Sequence, residues 1–318
     1  MNNKEKYQGL CDAENSIPIY NTSWWLDSVA PGDWDVCLVE KNGEIIAAMP
    51  YILKKIGLFK YIRNPMLTQH LGPWIKPFPR SYNSDISHQK KMIYSLYEQL
   101  PNYHYLNQSW HYSLTNGLPC VWKGFTQTTY YTYVIKDIDI LDDVLENFSS
   151  SYRNKLKKAS KLVTAHKGLS AKDFFKLNRK TFLRQGLEPP YSEDFFFRHD
   201  NKLASNMRRE IFYAQDAAGN IHSALYLTWD DQSSYVHMVG EDQEYRSSGA
   251  GIFLIFEAIK YTKETLKLNR FDFEGSMIEK IEKVRRDCGG KQVGYLNFTH
   301  IPNKFLRIVI SLIMIMRG

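Results

Sequence analysis

Hydrophobic and polar positions alternate with a period of two at several points along the chain. Residues 35–40 and 45–51 are apolar at strand spacing, and Asn42-Gly43 between them predicts a tight hairpin turn. Residues 88–100 carry apolar positions at helical spacing and stop at Pro101, and 130–135 predict a further strand. A second set begins near 141. Residues 151–163 predict a basic helix with Leu156, Ala159 and Val163 on one face, and 172–185 predict another. Glu188-Pro189-Pro190-Tyr191 breaks the chain. Strands are then expected at 209–215, 221–229 and 233–239, with a turn at 216–220. A long helix is expected at 249–266, a short buried strand at 270–273, a helix at 279–287 ending at Gly289-Gly290, and a last strand at 295–300.

The second half therefore reads helix, helix, hairpin, strand, helix, strand, helix, strand. That is a mixed α/β order with a βαβ unit inside it. The first half also has a central hairpin, a later helix and a final strand. Two domains are expected, at 1–140 and 141–303, followed by an apolar tail at 304–318 framed by Lys304, Arg307 and Arg317.

Composition narrows the class. Of the 318 residues, 43% are hydrophobic, enough for a full core. A formal charge of +7 favours anionic partners, whether a phosphate-bearing cofactor, a nucleic acid or a membrane surface. The absence of a long basic tail argues against an arm-type nucleic-acid binder. Cys11, Cys37, Cys120 and Cys288 are far apart and form no CxxC pair, so neither a disulfide framework nor a metal site is expected. The polar start of the chain lacks an apolar signal core, and no apolar run reaches the ~18 residues of a membrane span. These features predict a cytoplasmic protein. The tail either packs on the body as a helix or lies at the inner face of the membrane.

The stretch with the most chemistry is Tyr235-Val236-His237-Met238-Val239-Gly240, then Glu241, then Arg246-Ser247-Ser248-Gly249-Ala250-Gly251, then a helix. A strand runs through a glycine-bearing turn into a helix start, where amides lack intrahelical partners and carry the positive end of the dipole. Such a turn suits a pyrophosphate. The dinucleotide fingerprint fails, because Leu254 stands where it requires glycine. The P-loop fails for want of Gly-Lys-Ser/Thr.

Arg-x-x-Gly-x-Gly in this setting resembles the acyl-CoA loop of the GNAT superfamily. Arg270-Phe271-Asp272-Phe273-Glu274-Gly275 resembles the Asp-Phe-x-Gly strand end of the Fem peptidoglycan aminoacyltransferases. Residues 282–290 are similar to that family's Phe-Lys-x-x-Phe-Gly-Gly segment, and 151–159 to its Arg-x-x-Ile-x-x-Ala helix. The likeness covers about 147–299 well and the first half only in plan. It implies two GNAT-like domains, each a mixed, mostly antiparallel sheet flanked by helices, with the cofactor loop in the second. The family's long helical arm has no counterpart in the pattern, which argues against transfer-RNA use. Members without the arm resemble exopolysaccharide and cell-envelope acyltransferases.

The resemblance implies direct attack of an amine on an acyl thioester, with acetyl-CoA as the expected donor and a small-molecule or lipid-linked amine as acceptor. Aminoacyl-tRNA is the alternative donor, and a non-catalytic binding protein the alternative to an enzyme. The resemblance assigns the oxyanion contact to a main-chain amide among Met238, Val239 and Gly240, and the phosphates to Arg246, Ser247, Ser248, Gly249, Ala250 and Gly251. Candidate bases are Glu274, Glu241, Asp272 and His237. Asp272 reads more readily as a structural carboxylate capping Ser276 or Met277, and His237 as a cross-strand core residue. Many GNAT enzymes have a leaving-group tyrosine where this chain has Arg285, which can hold negative charge but not supply a proton.

Overall fold

The computed structural model describes residues 2–275, 277–303 and 305–307. In chain order the elements are α1 (Asn3–Ala13), α2 (Ser23–Val29), β1 (Trp34–Lys41), β2 (Glu44–Ile56), β3 (Phe59–Arg63), β4 (Trp74–Ile75), α3 (Tyr82–Glu98), β5 (Tyr105–Ser109), α4 (Leu118–Trp122) and β6 (Thr126–Ile135). They continue with α5 (Leu141–Glu146), α6 (Ser150–Ala159), β7 (Thr164–Lys167), α7 (Ala171–Leu183), α8 (Glu193–Ser205), β8 (Arg209–Gln215), β9 (Ile221–Trp229) and β10 (Ser234–Glu241). The last are α9 (Ala250–Glu264), β11 (Phe271–Asp272), α10 (Glu279–Asp287) and β12 (Lys291–His300).

The chain divides into two compact units. Unit 1 comprises residues up to Tyr130 together with those from Gly294 on, and unit 2 comprises Tyr131–Val293. The divisions fall inside β6 and β12, about ten residues before those expected from the sequence. The reason is strand pairing. Val134 and Ile135 pair with β11 in unit 2, while Asn297 to His300 pair with β5 in unit 1.

In unit 1 the Asn42-Gly43 turn is as expected. Both residues have positive φ, 53° and 80°, which a two-residue type I′ hairpin requires. Helix α3 starts six residues before the expected 88, with Ser81 as its extended N-cap. The polar start of the chain forms α1. The Asn2 side chain accepts from the Glu5 amide and the Glu5 carboxylate accepts from the Asn2 amide, a reciprocal capping box.

The two units repeat one order. In each, two helices precede three consecutive antiparallel strands, a helix follows, and the next strand lies parallel to the third: β5 beside β3 in unit 1, β11 beside β10 in unit 2. Each sheet is mixed, mostly antiparallel and flanked by helices.

The units differ where the third strand gives way to its helix. In unit 1 this link, residues 64–81, holds Pro65, Pro73, Pro77 and Pro79, which have no amide hydrogen. It also runs back along β5. The Leu71 amide donates to the Ser109 carbonyl at 2.7 Å, and Gly72 lies so close to Trp110 that a Cβ would come within 2.4 Å of its ring. In unit 2 the corresponding link is the short glycine turn. Below it, Leu254, Ala258 and Ile259 of α9 pack on Leu225, Leu227, Val236 and Phe271, all buried.

Candidate active site

The site is built on an interrupted strand pair. β10 lies parallel to β11 only at Ser234↔Phe271 and Tyr235↔Asp272, and the two then part. On its other side β10 stays paired with β9, but the register shifts between Val236 and Met238, leaving His237 in a β-bulge. An extra residue reverses which way the following side chains point. Val236 belongs to the core under α9. Beyond the bulge Met238 Sδ accepts the Tyr191 hydroxyl at 3.4 Å, and Gly240 faces α7. Val239 and Glu241 are turned to the opposite face, where Val239 is 45% exposed.

The backbone follows the same alternation. The Val239 carbonyl accepts from Asn178 Nδ2 at 2.7 Å, and the Glu241 amide donates to Thr181 Oγ1 at 2.9 Å. Both groups lie on the edge that β9 does not use, so the Val239 N–H lies there too. Gly240 is pressed against α7. A Cβ on it would come within 2.8 Å of the Asn178 nitrogen, so its bare face admits the α7 backbone rather than a ligand.

The turn after β10 is anchored from below. Asp216 accepts from the side chain and backbone of Asn220, which hold its carboxyl at about 2, and it pairs with His222. Tyr245 stacks flat on His222 at 4.3 Å. A 3-10 turn, Arg246–Ser248, leads to Gly249, which caps α9 at φ 79°. Of the amides expected to be bare, Arg246, Ser248 and Ala250 already donate, to Gln243 O, Tyr245 O and Ser248 Oγ. Among the described residues no protein atom accepts from the amides of Ser247, Gly249 or Gly251.

Positive charge gathers at this turn. Glu241 takes both Arg246 (3.2 Å) and Arg184 (3.1 Å), and Lys158 of α6 donates to the Ser247 carbonyl at 3.2 Å. Gly249 packs on the backbone of Lys155, whose carbonyl would lie 3.1 Å from an added Cβ. The basic α6 is thus part of the turn's surroundings. Glu241 is an ion-pair hub between Arg184 and Arg246.

Glu274 stands where β11 ends, with φ 56°, a strained conformation for a non-glycine residue. Asp272 holds it there. Its Oδ1 accepts from the Glu274 amide at 2.8 Å and from Thr132 Oγ1 at 2.7 Å. Asp272 thus anchors the Glu274 amide, whereas the partners expected for it were Ser276, which lies outside the described residues, or Met277. Glu274 Oε1 is 2.9 Å from His237 Nδ1, and His237 Nε2 is 3.0 Å from His199 Nε2. His237 is thus no simple cross-strand residue. Arg285 is half-buried on α10, and its carbonyl accepts from Gly290, whose missing Cβ that close approach requires.

Sequence reasoning missed His199, Arg184, Lys158, Asn178 and Thr181. The signal for His199 was present. Ser192 followed by Glu193 and Asp194 is a helix start, and Phe195, Phe196, His199 and Leu203 repeat at helical spacing to give α8.

The geometry is thus a strand that parts from its parallel neighbour and runs on into a glycine turn where the amides of Ser247, Gly249 and Gly251 have no acceptor among the described residues. Residues 146–278 match the acetyltransferase (GNAT) domain family, so unit 2 carries the GNAT domain, and the chain as a whole has a tandem, Fem-like fold. No curated protein matches the sequence. Among solved structures, FemX has a TM-score of 0.69 at 14% identity, over 98% of each chain. L-PGS from Bacillus licheniformis gives 0.57 at 10% identity over 98% of this chain and 96% of its own. The C-terminal domain of a putative lysylphosphatidylglycerol synthetase from Agrobacterium fabrum gives 0.54 at 10%, over 98% and 94%. These likenesses establish the fold.

Proposed function

We propose that unit 2 transfers an acyl group from acetyl-CoA or a similar thioester to an amine of a cell-envelope or polysaccharide precursor. The observation that carries this is the early end of the β10–β11 ladder after Tyr235↔Asp272. It leaves the Val239 amide on an open edge, and the turn with unpaired amides follows on the same strand. In this reading Ser247, Gly249 and Gly251 hold the diphosphate, with Arg246 and Lys158 beside them. The acceptor ammonium gives a proton to Glu274, and the freed amine attacks the thioester carbonyl. The Val239 N–H meets the oxyanion, a contact worth ~3 kcal/mol of barrier. Collapse breaks the C–S bond, the new amide nitrogen loses its second proton to solvent, and the released thiolate takes a proton from solvent in turn. Arg285 supplies fixed positive charge.

A lipid-linked acceptor is part of the proposal on two grounds. A protein of this fold is named a putative lysylphosphatidylglycerol synthetase. The apolar stretch at 304–318 is framed by basic residues. That stretch lies outside the described residues except for 305–307, and no described helix is long and apolar enough to cross a membrane.

One observation favours a second donor. Asn178 and Thr181 already occupy the Val239 carbonyl and the Glu241 amide. A pantetheine-like arm adding to this edge as a strand would displace them. An aminoacyl ester, which presents only a carbonyl, needs the Val239 amide alone. Thermal stability separates the donors. A ligand at a hundredfold its Kd adds ~2.7 kcal/mol to folding. Acetyl-CoA is expected to raise the Tm. If aminoacyl-tRNA does so and acetyl-CoA does not, the thioester reading fails.

A further inference from the structure

The bulge at His237 places a line of three side chains through unit 2: Glu274, then His237, then His199 of α8. Exposure falls along it. The Glu274 side chain is 17% exposed, that of His237 1%, and His199 is fully buried. The charged and titratable groups around the inner end are Arg198, next to His199 in sequence, and Asp200, which accepts from Tyr226 at 2.9 Å and pairs with Arg209 at 3.1 Å. The Tyr226 ring lies 5.9 Å from that of His237. Asp272 holds the outer end through the Glu274 amide.

The proton positions follow from the two distances. An ionised carboxylate only accepts, so at 2.9 Å His237 Nδ1 must carry the hydrogen. Two imidazole nitrogens 3.0 Å apart hold one hydrogen between them. Burial, and then the neighbouring His237 and Arg198, hold His199 neutral, well below the ordinary histidine range. With Nδ1 protonated, a neutral His237 has a bare Nε2, and the shared hydrogen belongs to His199.

We propose that His199 is a positioning residue: its Nε2–H fixes His237 as the Nδ1–H tautomer, and His237 in turn aims the Glu274 carboxylate. The inference rests on Glu274 as the base of the proposed reaction. His199 touches no reacting atom. The strained backbone of Glu274 fits this arrangement, because a residue held at positive φ by Asp272 and at its carboxylate by His237 is fixed at both ends.

The test needs neither donor nor acceptor. The full chain, labelled with 15N-histidine, is examined by long-range 1H–15N correlation at pH 7, with His237→Gln and His199→Gln used for assignment. The expected spectrum has a pyrrole-type Nδ1 and a pyridine-type Nε2 on His237, and a pyrrole-type Nε2 on His199. In His199→Leu the His237 signals should lose this fixed pattern. In His199→Gln, whose amide can still donate, they should keep it. A His237 protonated at Nε2 alone, or averaged between tautomers, would overturn the proposal from the unmodified protein even if the leucine variant fails to fold. An unchanged His237 in a folded His199→Leu variant would also overturn it. Failure of acetyl-CoA and aminoacyl-tRNA to bind would instead strike the acyl-transfer reading and leave the spectrum as it is.

Discussion

Gly240 of β10 lies directly against Asn178 of α7: a Cβ on the glycine would stand 2.8 Å from the Asn178 nitrogen and 2.9 Å from the Leu177 carbonyl carbon. Those atoms are backbone and cannot rotate away. Gly240→Ala is therefore expected to cost about 1–3 kcal/mol of stability, as overpacking does elsewhere. It should also loosen the Asn178 and Thr181 bonds to β10. Denaturant unfolding checks this, and an alanine variant as stable as the parent would mean that α7 is not so tightly seated.

The two glycines of the turn should respond in opposite directions. Gly249 has φ 79° and would press on the Lys155 carbonyl at 3.1 Å, so Gly249→Ala is expected to lose about 1–2 kcal/mol. Gly251 lies in the first turn of α9, and its nearest neighbours would be at 3.6 and 3.8 Å, ordinary contact. Gly251→Ala should be neutral or gain up to ~1 kcal/mol. Equal losses from both would contradict the backbone assignment.

Acid should destabilise the protein from about neutral pH downward. His199 and His70 are fully buried, and burial first, then a second histidine nearby, pushes both well below the ordinary range. Each is neutral when folded and free to protonate when unfolded. Unfolding thus takes up protons below ~6.5, and stability, complete above that pH, falls as pH drops by at most ~1.4 kcal/mol per pH unit for each group. Among the described residues, neither ring nitrogen of His70 has a hydrogen-bond partner. His70→Leu should therefore hold stability at pH 7 and flatten the fall between pH 7 and 5. Unfolding curves at several pH values decide it; an unchanged slope would contradict the burial argument.

Much of the chemistry-bearing half was legible because its signals are local. The strands at 209–215 and 221–229 and the helix at 279–287 match the observed elements, and the Asn42-Gly43 turn could form only with positive φ. What was not legible depends on register. A bulge at His237 leaves no mark in the alternation of Ser234–Glu241, yet it decides which face Val239 and Glu241 take and that His237 meets Glu274. The expectation of six bare amides failed in part because Ser248 turns its own hydroxyl on Ala250. Lys158 lies in the basic helix read at 151–163, but its contact with Ser247 is made across 89 positions of sequence and leaves no local signal.

Lys158 and Arg246 flank the turn with exposed or part-exposed side chains, so each is expected to add modestly to phosphate binding. Replacing either by alanine should weaken CoA binding about fivefold, ~1 kcal/mol. The loss should shrink as salt is raised. Titration calorimetry at two salt concentrations reads both effects, and affinity indifferent to either residue would remove them from the site.

The account stands on the amides of Ser247, Gly249 and Gly251 being offered to a diphosphate. Backbone amide NMR of the full chain titrated with CoA tests that most directly. The account predicts saturable shifts at these three amides, larger than at Arg246, Ser248 and Ala250, whose hydrogens are already engaged. Binding that leaves the three unmoved, or no binding of CoA at millimolar concentration, would contradict it.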